Sequence, residues 1–181
     1  MNPRVIALPT ALETERLRLE RIALQHLDEI QRMHEDERVM ATLGGVRDRK
    51  TSEEMLRRWA GHWDEHGFGL WAAFDKETGR FVGRGGLRRV EVGGRNEVEV
   101  GYGFLAPFWG RGLATELATQ SLELGFNRMD LPDVVSFTLT TNRASQHVME
   151  KVGLRYERDV VYADLPHVLY RIRASEWRRA R

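Results

Sequence analysis

Cysteine is absent from this sequence. That excludes disulfides, thiolate metal sites and a cysteine nucleophile, and it suits a reducing cytoplasm. Proline is scarce, with 5 in 181 residues. No Pro/Ser-rich linker, repeat or low-complexity tract divides the chain, so one domain over residues 1–181 is expected, its core at about 14–173. Long apolar runs are missing as well. No stretch approaches the ~20 apolar residues of a membrane-spanning helix, and Met1 to Thr14 lacks the continuous apolar centre of a signal peptide. An excess of one charge sign is also missing, since 28 Lys+Arg against 27 Asp+Glu leave a net +1. Nothing in that balance favours nucleic acid or an anionic membrane as partner. Lysine is confined to Lys50, Lys76 and Lys151, an arginine bias that codon usage in a GC-rich genome explains. A cytoplasmic protein is the expectation.

Periodicity sets out the elements. Leu17-Arg18-Leu19-Glu20-Arg21 alternates as a strand does. Leu24, Leu27, Ile30 and Met33 recur at helical spacing, predicting an amphipathic helix over 23–34. A second helix is expected near Thr51, with Thr51 and Glu54 as a capping box and Met55, Leu56, Trp59 and Trp63 as its apolar face. Leu70 to Phe74 and Phe81 to Val90 read as a hairpin, and after a Gly93-Gly94 turn Glu97 to Phe104 reads as the next strand. Its alternation places Val98 and Val100 on one face and Glu97 and Glu99 on the other, with Tyr102 opposite Glu99 and reading as core. Leu113, Leu117, Leu124 and Phe126 mark a helix, Val134 to Leu139 a buried strand, and Ala144 to Val152 a helix ended by Gly153. Leu154 to Asp159 and Val168 to Arg173 close the order. The strand–helix–strand crossover from Phe104 to Val134 predicts parallel neighbours. The fold class is α/β (α+β): a mixed, mostly antiparallel central sheet with helices on both faces. The tail Trp177-Arg178-Arg179 reads as a solvated end.

The chemistry concentrates at the strand Val98–Phe104 and the loop Leu105-Ala106-Pro107-Phe108-Trp109-Gly110-Arg111-Gly112 that leads into Leu113-Ala114-Thr115-Glu116. The first turn of a helix carries unpaired N–H groups and partial positive charge, and so receives anions. Gly110 and Gly112 let phosphate oxygens approach the backbone with no Cβ in the way. The spacing of a Rossmann G-x-G-x-x-G is lacking, and so is a P-loop lysine. A second cluster follows the Val134–Leu139 strand: Asn142, which suits a helix cap, and Ser145 in the first turn. His62 and His66 stand at i,i+4 without the glutamate of H-E-x-x-H between them, so no metal site is expected.

In order and spacing these pieces resemble the GNAT N-acetyltransferase superfamily, and within it the RimJ/RimL-like branch of ribosomal-protein N-terminal acetyltransferases. The resemblance rests on Leu12-Glu13-Thr14-Glu15-Arg16-Leu17-Arg18-Leu19, Glu99-Val100-Gly101-Tyr102, Trp109-Gly110-Arg111-Gly112-Leu113-Ala114-Thr115-Glu116, Asn142-Arg143-Ala144-Ser145 and Met149-Glu150-Lys151-Val152-Gly153-Leu154. It implies acetyl-CoA as cosubstrate, with no metal. The pantetheine arm would lie between two splayed parallel strands on the main chain of Gly103, Phe104 and Leu105. The pyrophosphate would rest on Trp109, Gly110, Arg111, Gly112, Leu113, Ala114 and Thr115, and Asn142 and Ser145 would reach in from the neighbouring helix. Trp109 stands where the family usually has Gln or Arg, and Met149 where many relatives carry an acidic tyrosine. Ser145 matches a serine proposed for that role in the RimL-like branch.

The implied activity is transfer of acetyl to a primary amine by direct attack. Glu99 is the candidate base, Ser145 the group that meets the thiolate, and a backbone N–H near Phe104 or Leu105 the oxyanion donor. Glu97 and Glu157 compete as base, and a structural alternative for Glu99 is an exposed carboxylate paired with an arginine. The branch implies a protein N-terminus as acceptor. A small-molecule amine (an antibiotic, polyamine or amino acid) and a non-catalytic acyl-CoA-binding module stand as alternatives. A homodimer through the outer C-terminal strands is a further expectation.

Overall fold

The computed structural model describes residues 7–179. Eight strands form one sheet in the order β1-β2-β3-β4-β5-β6-β8-β7. β1 (Ala11–Glu13) and β2 (Leu17–Arg21) precede a 3-10 turn at Leu24–His26, α1 (Leu27–Glu35), the short α2 (Glu37–Met40) and α3 (Arg49–His66). β3 (Leu70–Asp75), β4 (Phe81–Val92) and β5 (Arg95–Phe104) then meander antiparallel. α4 (Leu113–Asn127) crosses over to β6 (Asp133–Leu139), which runs parallel to β5. α5 (Arg143–Lys151), β7 (Arg155–Tyr162), β8 (Leu165–Arg173) and α6 (Ala174–Arg179) complete the described residues.

The two layers of helices clasp the sheet through side chains that meet its bare backbone. On one face, Met33 of α1 and Leu43 reach the place a Cβ would occupy at Gly103, and Trp59 of α3 lies against Arg84. On the other, Leu117 of α4 comes within 2.6 Å of a Cβ position at Gly85, so a side chain there would push α4 off the sheet. Leu113, Leu117, Leu122 and Phe126 of α4 are buried, each contributing about 1.5–3 kcal/mol of apolar transfer.

Three expectations need correction. Asp48, not Thr51, caps α3: its carboxylate accepts the Thr51 N–H at 2.8 Å, so the helix starts at Arg49 and the Thr51–Glu54 pair lies within it. A capping box and an upstream Asp cap look alike in sequence, and φ/ψ at residue 48 decides between them. Trp177 is no solvated end. It is 5% exposed and stacks against Phe126 at 5.6 Å, so α6 seals the end of α4. Glu99 is paired with an arginine yet is not exposed, with 5% of its surface open. The sheet is covered on both faces there, and strand alternation cannot report that.

Candidate functional site

β5 and β6 are joined at a single residue pair, Glu99 with Val135. Beyond it the strands part, leaving residues 100–104 of β5 without ladder partners on that side. Leu105 N–H donates to Val82 O at 2.9 Å, one rung past the Gly83–Phe104 pair of the β4–β5 ladder. By antiparallel alternation the main-chain groups of Gly103 and Leu105 face β4, while those of Tyr102 and Phe104 face the gap. Phe104 O already accepts the Trp109 indole N–H at 2.7 Å.

The gap ends against the start of α4. Gly110 and Gly112 hold φ of 73° and 77°, conformations that cost an L-residue with a Cβ roughly 1–2 kcal/mol. They turn the chain so that the N–H groups from Gly110 through Thr115 meet no acceptor among the described residues. A row of unclaimed amides at a helix N-terminus is a seat for an anion such as a pyrophosphate.

This seat is clamped by the N-terminal segment, a contact between residues about 100 apart that no local pattern reports. Glu116 Oε1 accepts from Thr14 Oγ1 at 2.5 Å and from Arg16 N–H at 2.7 Å, and its Oε2 from Arg16 Nε at 2.7 Å. Arg16 Nη1 goes on to donate to Arg111 O at 2.6 Å. Burial pushes the Glu116 carboxyl up, but the donors from Thr14 and Arg16 outweigh it and hold it below the usual range. The Thr14–Arg16 and Arg111–Glu116 motifs thus form one structure.

The candidate catalytic groups lie on opposite faces of the sheet, on the stretch of β5 around its one pairing with β6. Glu99 points to the α1/α3 face, and its carboxylate comes within 3.4 Å of a Cβ position on Gly101; the glycine lets it extend along β5 toward Phe104. Arg88 Nε donates to its Oε2 at 2.6 Å. The competitors are engaged elsewhere. Arg171 binds Glu97 through both Nη atoms at 2.8 and 3.0 Å, and Glu157 through Nε at 2.6 Å, with Asp133 as a third partner. That arginine holds Glu157 below the usual carboxylate range.

Tyr102 reaches the α4/α5 face. Its hydroxyl donates to Ser145 O at 3.1 Å and lies 3.2 Å from Ser145 Oγ. Burial pushes its pKa up to about 12, against the opposing bond from Ser145, so the phenol keeps its proton. Strand alternation assigns Tyr102 to the core, and its ring does pack there. Only the packing of α5 on β5 brings it to Ser145, while Met149 is buried at 1% exposure. Asn142 caps α5 through Ser145 N–H at 3.2 Å and donates to Thr138 Oγ1 at 2.9 Å, which fixes the helix beside the gap. His62 ties α3 to the sheet, one ring nitrogen on Phe68 O at 2.8 Å and the other on Arg89 N–H at 2.9 Å.

Residues 16–155 match the family model described as the acetyltransferase (GNAT) domain. The chain is 29% identical over 169 residues to the uncharacterized Bacillus subtilis protein YkkB, covering 89% of this chain and 94% of that one. It is 31% identical over 127 residues to the FsC-acetyl coenzyme A-N(2)-transacetylase of Aspergillus fumigatus, covering 62% of this chain and 53%, about half, of that relative. Among solved structures, an acetyltransferase from Agrobacterium tumefaciens superimposes with a TM-score of 0.80 at 25% identity, over 92% of this chain and 95% of that one. A ribosomal-protein-S5-alanine acetyltransferase from Vibrio fischeri shares the fold, with a TM-score of 0.73 at 15% identity over 93% and 99% of the two chains.

Proposed function

The chain belongs to the GNAT acetyltransferase family and is an acyltransferase, and from that premise we propose that it moves acetyl from acetyl-CoA to a primary amine by direct attack, with Glu99 as base. The observation that carries this reading is the unpaired stretch of β5 leading straight to the row of free amides from Gly110 to Thr115. A pantetheine arm needs a strand edge to bond to, and a pyrophosphate needs donors at its end; both are here in line. Bound acetyl-CoA would supply a thioester-activated acetyl carbon at the gap.

The rest of the chemistry falls to the chain's own side chains. Glu99 holds its carboxylate at the α1/α3 mouth of the gap and takes a proton from the acceptor ammonium, directly or through a water. The free N–H of Phe104 is the oxyanion donor; that of Leu105 is committed to Val82 O. As the C–N bond forms and the C–S bond breaks, Ser145 offers its hydroxyl hydrogen from the other face, while Tyr102 donates its own to Ser145 O. A phenol with its pKa at about 12 is too weak an acid to give a thiolate its proton outright. Its contribution is to hold Ser145 in place; the proton Glu99 takes from the ammonium passes to solvent, and the departing thiolate is protonated by exchange with solvent. Trp109, where relatives carry a polar side chain, costs little, because amides rather than side chains hold the phosphates.

Calorimetric titration with acetyl-CoA, beside a Gly112→Trp variant, tests the cosubstrate site: binding by the wild type and its loss in the variant are expected. Glu99→Gln should then lower kcat by roughly 10²–10⁴ with acetyl-CoA affinity intact. Ser145→Ala should lower it by about tenfold, the worth of one hydrogen bond. Unchanged turnover in both variants would remove Glu99 and Ser145 from the mechanism.

A further inference from the structure

The α1/α3 face of the gap carries more positive charge than its carboxylates balance. Arg88 is matched by Glu99. Arg84, four residues before it on β4 and opposite Gly103 of β5, has no carboxylate at ion-pair distance among the described residues, and its Nε is sealed from water without an acceptor among them. Arg47 also lacks a carboxylate; its Nη2 donates to Leu43 O at 2.6 Å. One side of the Arg84 guanidinium is covered by the Trp59 ring at 4.7 Å. Burial, then the like charge of Arg88, draws its pKa down to about 10, with Glu99 opposing. It stays protonated, and a buried cation without a partner is costly.

A second orphan lies against the same tryptophan. The His34 ring sits 6.1 Å from Trp59, edge to face. Its Nδ1 is 2.8 Å from Ser52 Oγ, whose one proton goes to Asp48 O at 2.9 Å. Nδ1 therefore donates, and Nε2 is a bare acceptor, buried and unpartnered. A fixed cation and a neutral acceptor, both unsatisfied, thus lie against the Trp59 ring on the α1/α3 face.

We propose that the acceptor is a small amino-acid-type molecule whose carboxylate is gripped by Arg84 and whose amine is delivered to Glu99. The proposal rests on the acetyltransferase reading above and names its substrate class. Nε is closed off, so Arg84 would meet a carboxylate through its two Nη groups, the charge-assisted form of this pairing. The Glu99 carboxylate extends over Gly101, and Arg84 stands across from Gly103. The backbone positions Gly101 and Gly103 are two residues apart along the strand, roughly 7 Å. That spacing suits an amine and a carboxylate borne by one small molecule. A protein N-terminus that begins with a neutral residue, the acceptor implied by the branch resemblance, would leave Arg84 as unsatisfied as before.

The test sets free L-amino acids against their C-terminal amides and against short peptides with neutral N-terminal residues, following release of coenzyme A thiol from acetyl-CoA by the purified full chain. At least one amino acid should be acetylated with kcat/KM 10- to 100-fold above its amide, the span expected for a charged hydrogen-bonded contact. Arg84→Gln should abolish that preference mainly through KM, and Arg84→Lys should restore part of it. Equal use of acids and amides, a preference for peptides, or a preference that survives Arg84→Gln overturns the proposal. So does acetyl-CoA binding with no turnover of any carboxylate-bearing amine. A thermal-shift arm without acetyl-CoA separates the two readings. If acetyl-CoA fails to bind, the acetyltransferase reading falls, and the anion site is judged alone. Amino acids that raise the melting temperature of the wild type but not of Arg84→Gln support it; no such rise refutes it.

Discussion

Replacing Glu116 by Ala removes one carboxylate and, with it, the clamp between the chain's opening segment and the amide row. The structure sets the size of the effect. Three donors lose their acceptor: the Thr14 hydroxyl, the Arg16 amide and the Arg16 guanidinium. The guanidinium is 43% exposed and recovers most of its loss from water, so that pair counts as a surface contact of about 0.2–1 kcal/mol. The Thr14 hydroxyl can still turn to Leu17 O at 3.3 Å. Allowing about 0.5–1 kcal/mol for each remaining bond gives a total near 2 kcal/mol. In a domain of this length that lowers Tm by roughly 4–8 °C. Arg16 also holds Arg111 O, so loosening its far end should disorder the amide row and weaken acetyl-CoA about fivefold, near 1 kcal/mol. Thermal unfolding and calorimetry on Glu116→Ala, Arg16→Ala and the double variant complete the cycle, with a coupling of about 0.5–1 kcal/mol expected between the two. Zero coupling, with unchanged Tm and affinity, would falsify the clamp and reduce it to a surface contact.

His34 supplies a pH dependence. Burial, with help from the charges of Arg84 and Arg47, takes its pKa from 6.5 to about 4. The unfolded chain therefore binds this proton first, so the stability tied to the neutral ring is complete above pH 6.5 and lost as pH falls toward 4. The loss amounts to about 3 kcal/mol. Unfolding curves from pH 7 to 5 should be steeper in pH for the wild type than for His34→Gln, and parallel curves would dismiss the effect. Trp109 is the exposed member of the tryptophans, 51% open against 8% or less for the other four. Because its indole occupies Phe104 O, acetyl-CoA should displace it and shift the red edge of the emission. Trp109→Phe should lose that signal while binding at least as tightly. Binding weakened tenfold would make the indole part of the seat instead.

How much of this was legible beforehand follows from the range of the interactions. Short-range patterns were readable: the strand–loop–helix around Gly110 and Gly112, the Asn142 cap and the parallel crossover all arise from spacing and backbone conformation within a few residues. The α3 cap was misplaced by three residues because two local solutions share one pattern. What the sequence determined by itself was therefore the family, the mixed sheet and the strand–loop–helix around Gly110 and Gly112, whose geometry is written in consecutive residues. What tertiary structure alone decided was everything that depends on which faces meet. Packing of α5 on β5 joined Tyr102 to Ser145, and the Thr14–Arg16 segment found Glu116 across the sheet. Arg171 drew Glu97 and Glu157 away, leaving Glu99 at the gap. Burial against Trp59 left Arg84 without a partner. A charge's partners and its solvent are properties of three-dimensional neighbours, and strand alternation reports the face of a residue but not what covers it.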